Sequence, residues 1–269
     1  MGLYKDFLVK ISGNDFVQRL FAKQARALNH AMGIGSGGDF QNSGEFVVFD
    51  LLDQRCRPPY CIFDVGANKG QFLRFTLEKT KGKDCQIHCF EPGRETFKML
   101  AANNPVDPKI ILNNVGLGKE RTEMILYYNA QGAEGASLTK RDLDHYGIHF
   151  DQSETVKIET LDNYCADNGI EHIHLLKLDI EGHELDALSG SRNMIAKNAV
   201  DIILFEFGGC NVDTRRFFRD YWHFFINTNM DIYRATPSGF LIKIAKYNEE
   251  YEQFSASNFV ALARDERKA

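Results

Sequence analysis

The sequence predicts an α/β fold built on a mainly parallel sheet. Three observations carry this. From Pro59 onward, short apolar runs alternate with helical stretches, the signature of strand–helix crossovers. A glycine-bearing turn, Asp64-Val65-Gly66-Ala67-Asn68-Lys69-Gly70, follows the first strand directly and opens a helix. The next strand ends on an acid, in Phe90-Glu91-Pro92.

The elements follow in order. Asn14 is placed to cap an amphipathic helix over 14–31, with Val17, Leu20, Phe21, Ala25, Leu28 and Ala31 near helical spacing. Gly33-Ile34-Gly35-Ser36-Gly37-Gly38 breaks that pattern. No strand precedes it, so it reads as a flexible connection and not as a phosphate loop. A short helix over 45–52 stops at Arg57-Pro58-Pro59. Strands are predicted at 61–65, 85–90 and from 110, with helices at 70–79 and 94–103 between them. Segments 122–128 and 155–160 suggest an antiparallel insertion around the loop 129–154. Alternation resumes with a strand at 174–178, a helix from about Glu184, a strand at 200–205 and a helix over 213–226 that carries Trp222. Segments 240–245 and 258–262 read as a terminal hairpin. The predicted division is an N-terminal helical extension, 1–55, and a sheet domain, 56–269.

Composition bounds the function. The chain has 269 residues, 43% hydrophobic, with 32 Lys+Arg against 37 Asp+Glu and a net charge of −5. A sizeable core can form, and the mild acidity argues against non-specific nucleic-acid binding. No apolar run is long enough to span a membrane. The N-terminus has no apolar signal core, and Asp6 stands where a myristoylation motif needs Ser or Thr. A soluble, cytoplasmic protein is expected. The six cysteines, Cys56, Cys61, Cys85, Cys89, Cys165 and Cys210, form no CxxC pair and read as reduced thiols in or near the core.

Three strand ends carry the chemistry. In the first, Gly66 allows a tight turn and Gly70 a close approach of the helix. The pattern is Gly-x-x-x-Gly, without the extra glycine that brings backbone against a pyrophosphate. Asp64 would repel a pyrophosphate but suits an ammonium such as S-adenosylmethionine carries. In the second, Glu91 is placed to accept hydrogen bonds from both ribose hydroxyls of a nucleoside, and Pro92 ends the strand. The third, Lys177-Leu178-Asp179-Ile180-Glu181-Gly182-His183-Glu184, crowds three carboxylates and a histidine at a strand-to-helix junction, which is costly unless they meet a cation or polar substrate.

Together with Asn114-Val115-Gly116-Leu117-Gly118 and Thr160-Leu161-Asp162, these motifs resemble the FkbM-type S-adenosylmethionine-dependent methyltransferases, over roughly residues 60–210. The resemblance implies the class I methyltransferase Rossmann-like sheet, seven-stranded and mainly parallel with one antiparallel strand near the edge. It also implies O-methylation of small molecules or sugars. Carried over by position, Asp64, Gly66, Ala67, Asn68 and Gly70 frame the methionine end of S-adenosylmethionine. Glu91 and Pro92 hold the ribose, and Asn114 and Val115 lie by the adenine. Asp179 and Glu181 sit near the sulfonium and acceptor. Ser137, in a Ser-Leu step within the insertion, is a further cofactor contact.

A hydroxyl acceptor calls for a general base, and Asp179, Glu181 and His183 are the candidates. An alternative places Mg²⁺ or Ca²⁺ on Asp179, Glu181 and Glu206 as a Lewis acid. Lys140, Arg141, His145, Tyr146 and His149 could hold an anionic or sugar acceptor, or form an exposed loop. His172 and His174 face one side of a strand but lack further metal ligands in sequence. Competing readings are an NAD-dependent oxidoreductase, a non-catalytic protein on the same fold, and a methyltransferase acting on protein or another nitrogen acceptor. The N-terminal helices could close over the crevice, form a homodimer interface or simply pack on the sheet domain.

Overall fold

The computed structural model describes residues 2–37, 42–104 and 106–264. Three helices come first, α1 (Gly2–Ile11), α2 (Asp15–Ala31) and α3 (Val47–Arg55). The alternating part follows: β1 (Tyr60–Val65), α4 (Gln71–Lys79), β2 (Cys85–Phe90), α5 (Arg94–Asn103) and β3 (Ile110–Asn113). Three short strands form a separate small sheet, β4 (Gly116–Leu117), β5 (Thr122–Tyr128) and β6 (Gln152–Glu159). Alternation resumes with α6 (Leu161–Asn168), β7 (Ile173–Leu178), α7 (Glu184–Ser189), α8 (Arg192–Ala196) and β8 (Val200–Phe207). The chain then runs through α9 (Cys210–Thr214), α10 (Phe218–Ile226), β9 (Met230–Ala235), β10 (Leu241–Lys243) and β11 (Ser257–Ala263).

The main sheet has the order β10-β9-β11-β8-β7-β1-β2-β3. The run from β8 to β3 is parallel throughout. β1 and β7 are central, and their side chains alternate between two apolar layers. Phe63, Val65, Leu176 and Leu178 face a layer with α6, α7, α8 and α10, while Ile62 and Leu175 face one with α3, α4 and α5. The chain leaves β1 toward β2 and β3 and later returns on the other side at β7. The C-terminal ends of β1 and β7 therefore flank the switch point, where such sheets open a crevice.

Several sequence expectations need correction. The sheet has eight strands, not seven, and two of them, β10 and β11, run antiparallel to their neighbours. The expected terminal hairpin does not form. β11 is inserted between β8 and β9, and β10 pairs with β9 instead. β9 escaped notice because Asp231 and Arg234 interrupt its apolar run. The Asp231 carboxylate accepts from Lys243 and Arg264, at 2.7 and 3.0 Å. The predicted helix over 213–226 is broken at Arg215, whose φ of +54° is left-handed, and it restarts after Phe217. The antiparallel insertion forms as β5 and β6, paired from Thr122↔Ile158 to Tyr128↔Gln152.

The N-terminal residues behave in two ways. Asn14 caps α2, its side chain accepting from Val17 N at 3.0 Å, but neither α1 nor α2 buries a residue. By contrast α3 buries Val47, Val48, Phe49 and Leu52 against the sheet. The glycine stretch is not a loose tether over Gly33–Gly37. Gly33 has φ +82°, a Cβ there would lie 2.0 Å from Ala235 O, and Gly37 N donates to Ala256 O at 2.8 Å. Gly38, at the end of that stretch, and the charged tail 265–269 lie outside the described residues.

Candidate cofactor and acceptor cleft

A cleft of about 470 Å³ opens at the C-terminal ends of β1, β2, β7 and β8. Its wall contains Gly66, Ala67, Asn68, Glu91, Pro92, Asp179 and Glu181 from the predicted set. Asp64, Gly70, Asn114, Val115, Ser137 and His183 are not part of that wall.

The first turn is shaped by contact with the third motif. Gly66 has φ +80°, and a Cβ there would fall 1.9 Å from Asp179 O, so no other residue fits. Asn68 follows with φ +47°. Its N–H donates to Glu91 Oε2 at 3.1 Å, and Gly93 N donates to Glu91 Oε1 at 2.9 Å. Burial raises the Glu91 pKa to about 7, against these two stabilising donors. Asn114 acts behind the wall: its Nδ2 donates to the carbonyls of Glu91 and Pro92 at 2.9 and 3.0 Å and holds that turn. Gly70 makes room for Asn104, whose side chain a Cβ would strike at 2.3 Å.

Asp64 does not face the cleft. It is fully buried and lies opposite Lys177 in the β1–β7 ladder. Lys177 Nζ is 3.2 Å from Asp64 Oδ1 and 3.3 Å from Asp179 Oδ2, and it also donates to Gly66 O at 3.4 Å. Although burial opposes its charge, Asp64, Asp179 and Glu45 together hold Lys177 above its usual pKa. Lys177 lines the cleft and ties the first motif to the third. It was visible in the sequence but was given no role there.

The third motif is folded by Glu184. Glu184 Oε1 accepts from Ile180 N and Gly182 N at 3.0 and 3.1 Å, and Tyr221 Oη donates to Oε2 at 3.2 Å. Those bonds hold Glu181 and Gly182 at φ +56° and +93°. Burial raises the Glu184 pKa to about 7. The Glu181 carboxylate is engaged by Arg141 Nη1 at 2.9 Å and Cys210 Sγ at 2.7 Å, and Ser137 Oγ donates to Glu181 O at 3.1 Å. His183 is turned away: its Nε2 lies 3.0 Å from Thr139 Oγ1 and its Nδ1 3.0 Å from Asp186 Oδ2. Arg141 also bonds Asp213, at 3.2 Å, so it braces the insertion instead of offering a free cation.

Two further carboxyls reach the cleft. Glu206, near the end of β8, lines it. Glu45, from the segment before β1, lines it too and was not anticipated. Glu45 Oε1 accepts from Ser43 Oγ at 3.0 Å and Asn258 Nδ2 at 3.1 Å, and burial raises its pKa to about 7. No local sequence signal links residues so far apart in the chain.

The divalent-cation alternative is not supported by the donor set: Arg141 and Cys210 take Glu181 Oε2, and Lys177 lies 3.3 Å from Asp179 Oδ2. Among the described residues, one group of three His, Cys, Asp or Glu side chains brings its ligand atoms within 4.8 Å of one another: His172, His174 and Asp201. It sits at the opposite end of β7 and β8. His172 Nε2 is 2.8 Å from Asp201 Oδ2, and His174 Nδ1 accepts from Cys61 N at 2.9 Å. His174 Nε2 therefore carries the proton, and the group is a hydrogen-bonded cluster. All six cysteines are free thiols.

The buried acids have a consequence for stability. Glu45, Glu91 and Glu184 are each raised to about 7, so the folded protein keeps protons there that the unfolded chain has lost. Stability from these groups is complete below the unfolded value and is lost as pH rises through 7. His88, held down to about 4 by burial, works in the opposite sense, but only below its unfolded value near 6.5. The thermal midpoint should therefore fall between pH 6 and pH 8, with a loss on the order of 4 kcal/mol in stability from the three groups together. Glu184→Gln should shrink that fall, and an unchanged pH profile would contradict the assignment.

Comparison with known proteins agrees with this geometry. The Methyltransferase FkbM domain family matches residues 64–229. The 2-O-methyltransferase NoeI of Sinorhizobium fredii is 27% identical over 161 residues, 56% of this chain and 63% of that protein. The 31-O-demethyl-FK506 methyltransferase FkbM of Streptomyces tacrolimicus is 27% identical, over 55% of this chain and 70% of its own. The hexuronic acid methyltransferase AglP of Haloferax volcanii is 24% identical, over 61% of this chain and 62% of its own. The chain thus spans under two thirds of the length of NoeI and AglP. A solved methyltransferase FkbM from Methylobacillus flagellatus KT aligns over 91% of this chain and 60% of its own, with 16% identity and a TM-score of 0.44. The matched segment runs from the first strand end, through all three motifs, to α10, and on that ground the chain belongs to the FkbM methyltransferase family.

Proposed function

We propose that the protein transfers a methyl group from S-adenosylmethionine to a hydroxyl of a small molecule or sugar. The observation that carries this is the convergence of the Gly66 turn, Glu91 and Asp179 on one cleft at the sheet's switch point. The wall fits such a cofactor. Among the described residues Asn68 Oδ1 is buried without a partner, an acceptor ready for an ammonium or hydroxyl, and the Glu91 carboxylate is preset by two backbone N–H groups. When bound, S-adenosylmethionine supplies a methyl on a sulfonium that is already electrophilic.

The residues then divide the work. Gly66, Ala67 and Asn68 frame the methionine end, and Glu91 takes the ribose hydroxyls. Pro92, Leu117 and Leu126 flank the base, with Asn114 and Val115 supporting them from behind. Asp179 accepts the proton of the attacking hydroxyl. Glu181, engaged by Arg141 and Cys210, and Ser137 hold the loop that presents Asp179, and no step runs through a divalent cation. His183 is a brace between the insertion and α7.

Glu91→Gln keeps one acceptor and loses the charge. It should weaken S-adenosylmethionine binding about 10-fold by calorimetry, the value of one charge-assisted hydrogen bond. The test of the function is a labelled methyl-transfer screen against sugars, polyketides and peptides, with Asp179→Ala as control. Tight NADH binding without S-adenosylmethionine binding would favour the oxidoreductase reading instead.

Two further assignments belong to the same reading. The exposed apolar side chains of α1 and α2, including Leu3, Phe7, Phe16, Leu20 and Leu28, support a homodimer through these helices. Light scattering of the whole chain should then give twice the 30.6 kDa of one copy, and a single-copy mass would refute it. Among the described residues no helix is long and apolar enough to cross a membrane, and the six free thiols favour a reducing, cytoplasmic setting.

A further inference from the structure

We propose that the acceptor end of the cleft selects neutral or amine-bearing polyols and turns away anionic ones such as uronates, with Glu206 as the discriminating residue. This rests on the methyl-transfer reading above and adds a substrate class to it.

The geometry beside Asp179 carries the argument. Glu206 stands opposite Asn258 in the β8–β11 ladder, and Asn258 Nδ2 donates to Glu45 Oε1 at 3.1 Å. One amide is thus flanked by two carboxyls, one from β8 and one from the segment before β1, and both carboxyls line the cleft. Glu45 has protein donors in Ser43 and Asn258. Glu206 is different: among the described residues no donor reaches its carboxyl. Gly208 keeps the space beside it open, since a Cβ there would lie 3.3 Å from Glu206 Oε1. A half-buried carboxyl with no protein partner, set in the wall of a cleft, is a hydrogen-bonding group left for a ligand.

Charge narrows the ligand. Besides Glu206, the wall carries Glu45, Asp179 and Glu181 near this end. The one cationic side chain among the lining residues is Lys177, and its Nζ is taken by Asp64, Asp179 and Gly66 O. Arg141, which bonds the Glu181 carboxylate of that wall, is also paired with Asp213. An incoming carboxylate would lose its water and, among the described lining residues, meet no cation that is not already paired. Hydroxyls suit the site in either protonation state of Glu206, because a carboxyl donates and a carboxylate accepts. Burial, then the neighbouring acids Asp179, Glu181, Glu184 and Glu45, push the Glu206 pKa well up, and an approaching ammonium would reverse that by ionising it. The inference separates this chain from its relative named as a hexuronic acid methyltransferase.

The test compares matched methyl glycosides of glucose, glucosamine and glucuronic acid, with the galactose set alongside, using labelled S-adenosylmethionine. The neutral or amino sugar should exceed its uronate partner in kcat/KM by at least about 10-fold, the size of one uncompensated charge contact. Glu206→Gln should compress the amino-sugar-to-uronate ratio at least threefold through KM, because the ammonium is what ionises Glu206, with S-adenosylmethionine binding by calorimetry unchanged as proof of folding. A uronate used as well as its neutral partner, an unchanged ratio in Glu206→Gln, or no methyl ether on any neutral or amino glycoside would each overturn the proposal. Methyl ethers on uronates alone would sink this inference and leave O-methyl transfer standing. Methyl groups found only on nitrogen or carboxylate oxygen would sink the transfer reading itself.

Discussion

Asp179→Asn should lower kcat by roughly 10²- to 10⁴-fold, the usual contribution of a positioned general base, while S-adenosylmethionine still binds within about threefold. The choice of Asp179 follows from what the other acids are doing. Asp64 is sealed beneath the wall on Lys177, and Glu181 is held by Arg141 and Cys210. Glu45 accepts from Ser43 and Asn258, Glu91 accepts from the backbone N–H groups of Asn68 and Gly93, and Glu206 belongs to β8 while Asp179 directly follows β7 beside the Gly66 turn. The Asp179 side chain is 48% exposed, lines the cleft, and lies 3.3 Å from Lys177 Nζ. Asparagine keeps its shape and one acceptor but cannot take a proton, so the loss belongs in kcat. A variant that loses only KM would instead make Asp179 a binding group.

Lys177→Met should be the most damaging single change to stability. Among the described residues the ammonium is the sole hydrogen-bonding partner of the Asp64 carboxylate, whose Oδ2 has none. Methionine preserves the length and the packing over Phe72, where the Lys177 Nζ lies 5.3 Å from the ring centroid. The substitution therefore isolates the loss of charge. Removing one member of a buried pair costs about 3–5 kcal/mol, which should lower the thermal midpoint by roughly 10 °C for a chain of this size. Asp64→Asn placed on top of Lys177→Met should recover part of that loss, because the two residues share one interaction. A double variant as unstable as the sum of the two singles would contradict the pairing.

What could be read from the chain was local. β1, β2, β7 and β8 announce themselves as short, mostly apolar runs with only one or two polar residues each, and the Gly66 turn, Glu91 and Asp179 sit immediately after β1, β2 and β7. What stayed hidden depends on long-range pairing. Asp64 looked like a cofactor ligand until the β1–β7 register set it against Lys177. Glu45 enters the cleft because Asn258, on the last strand, bonds it there. His183 has a suitable chemistry for a base, but Thr139 and Asp186 claim both ring nitrogens. Arg215 lies within a helical pattern yet takes a left-handed φ of +54° that splits the helix. β9 is hidden because Asp231 and Arg234 interrupt its apolar run.

The most direct test of the central claim is to identify the bond that receives the methyl group. The protein should bind S-adenosylmethionine by calorimetry, and labelled methyl should appear in an alkali-stable ether on a hydroxyl-bearing acceptor, with the signal absent in Asp179→Asn. Label recovered in an alkali-labile ester or on nitrogen, or undiminished transfer by Asp179→Asn, would contradict it.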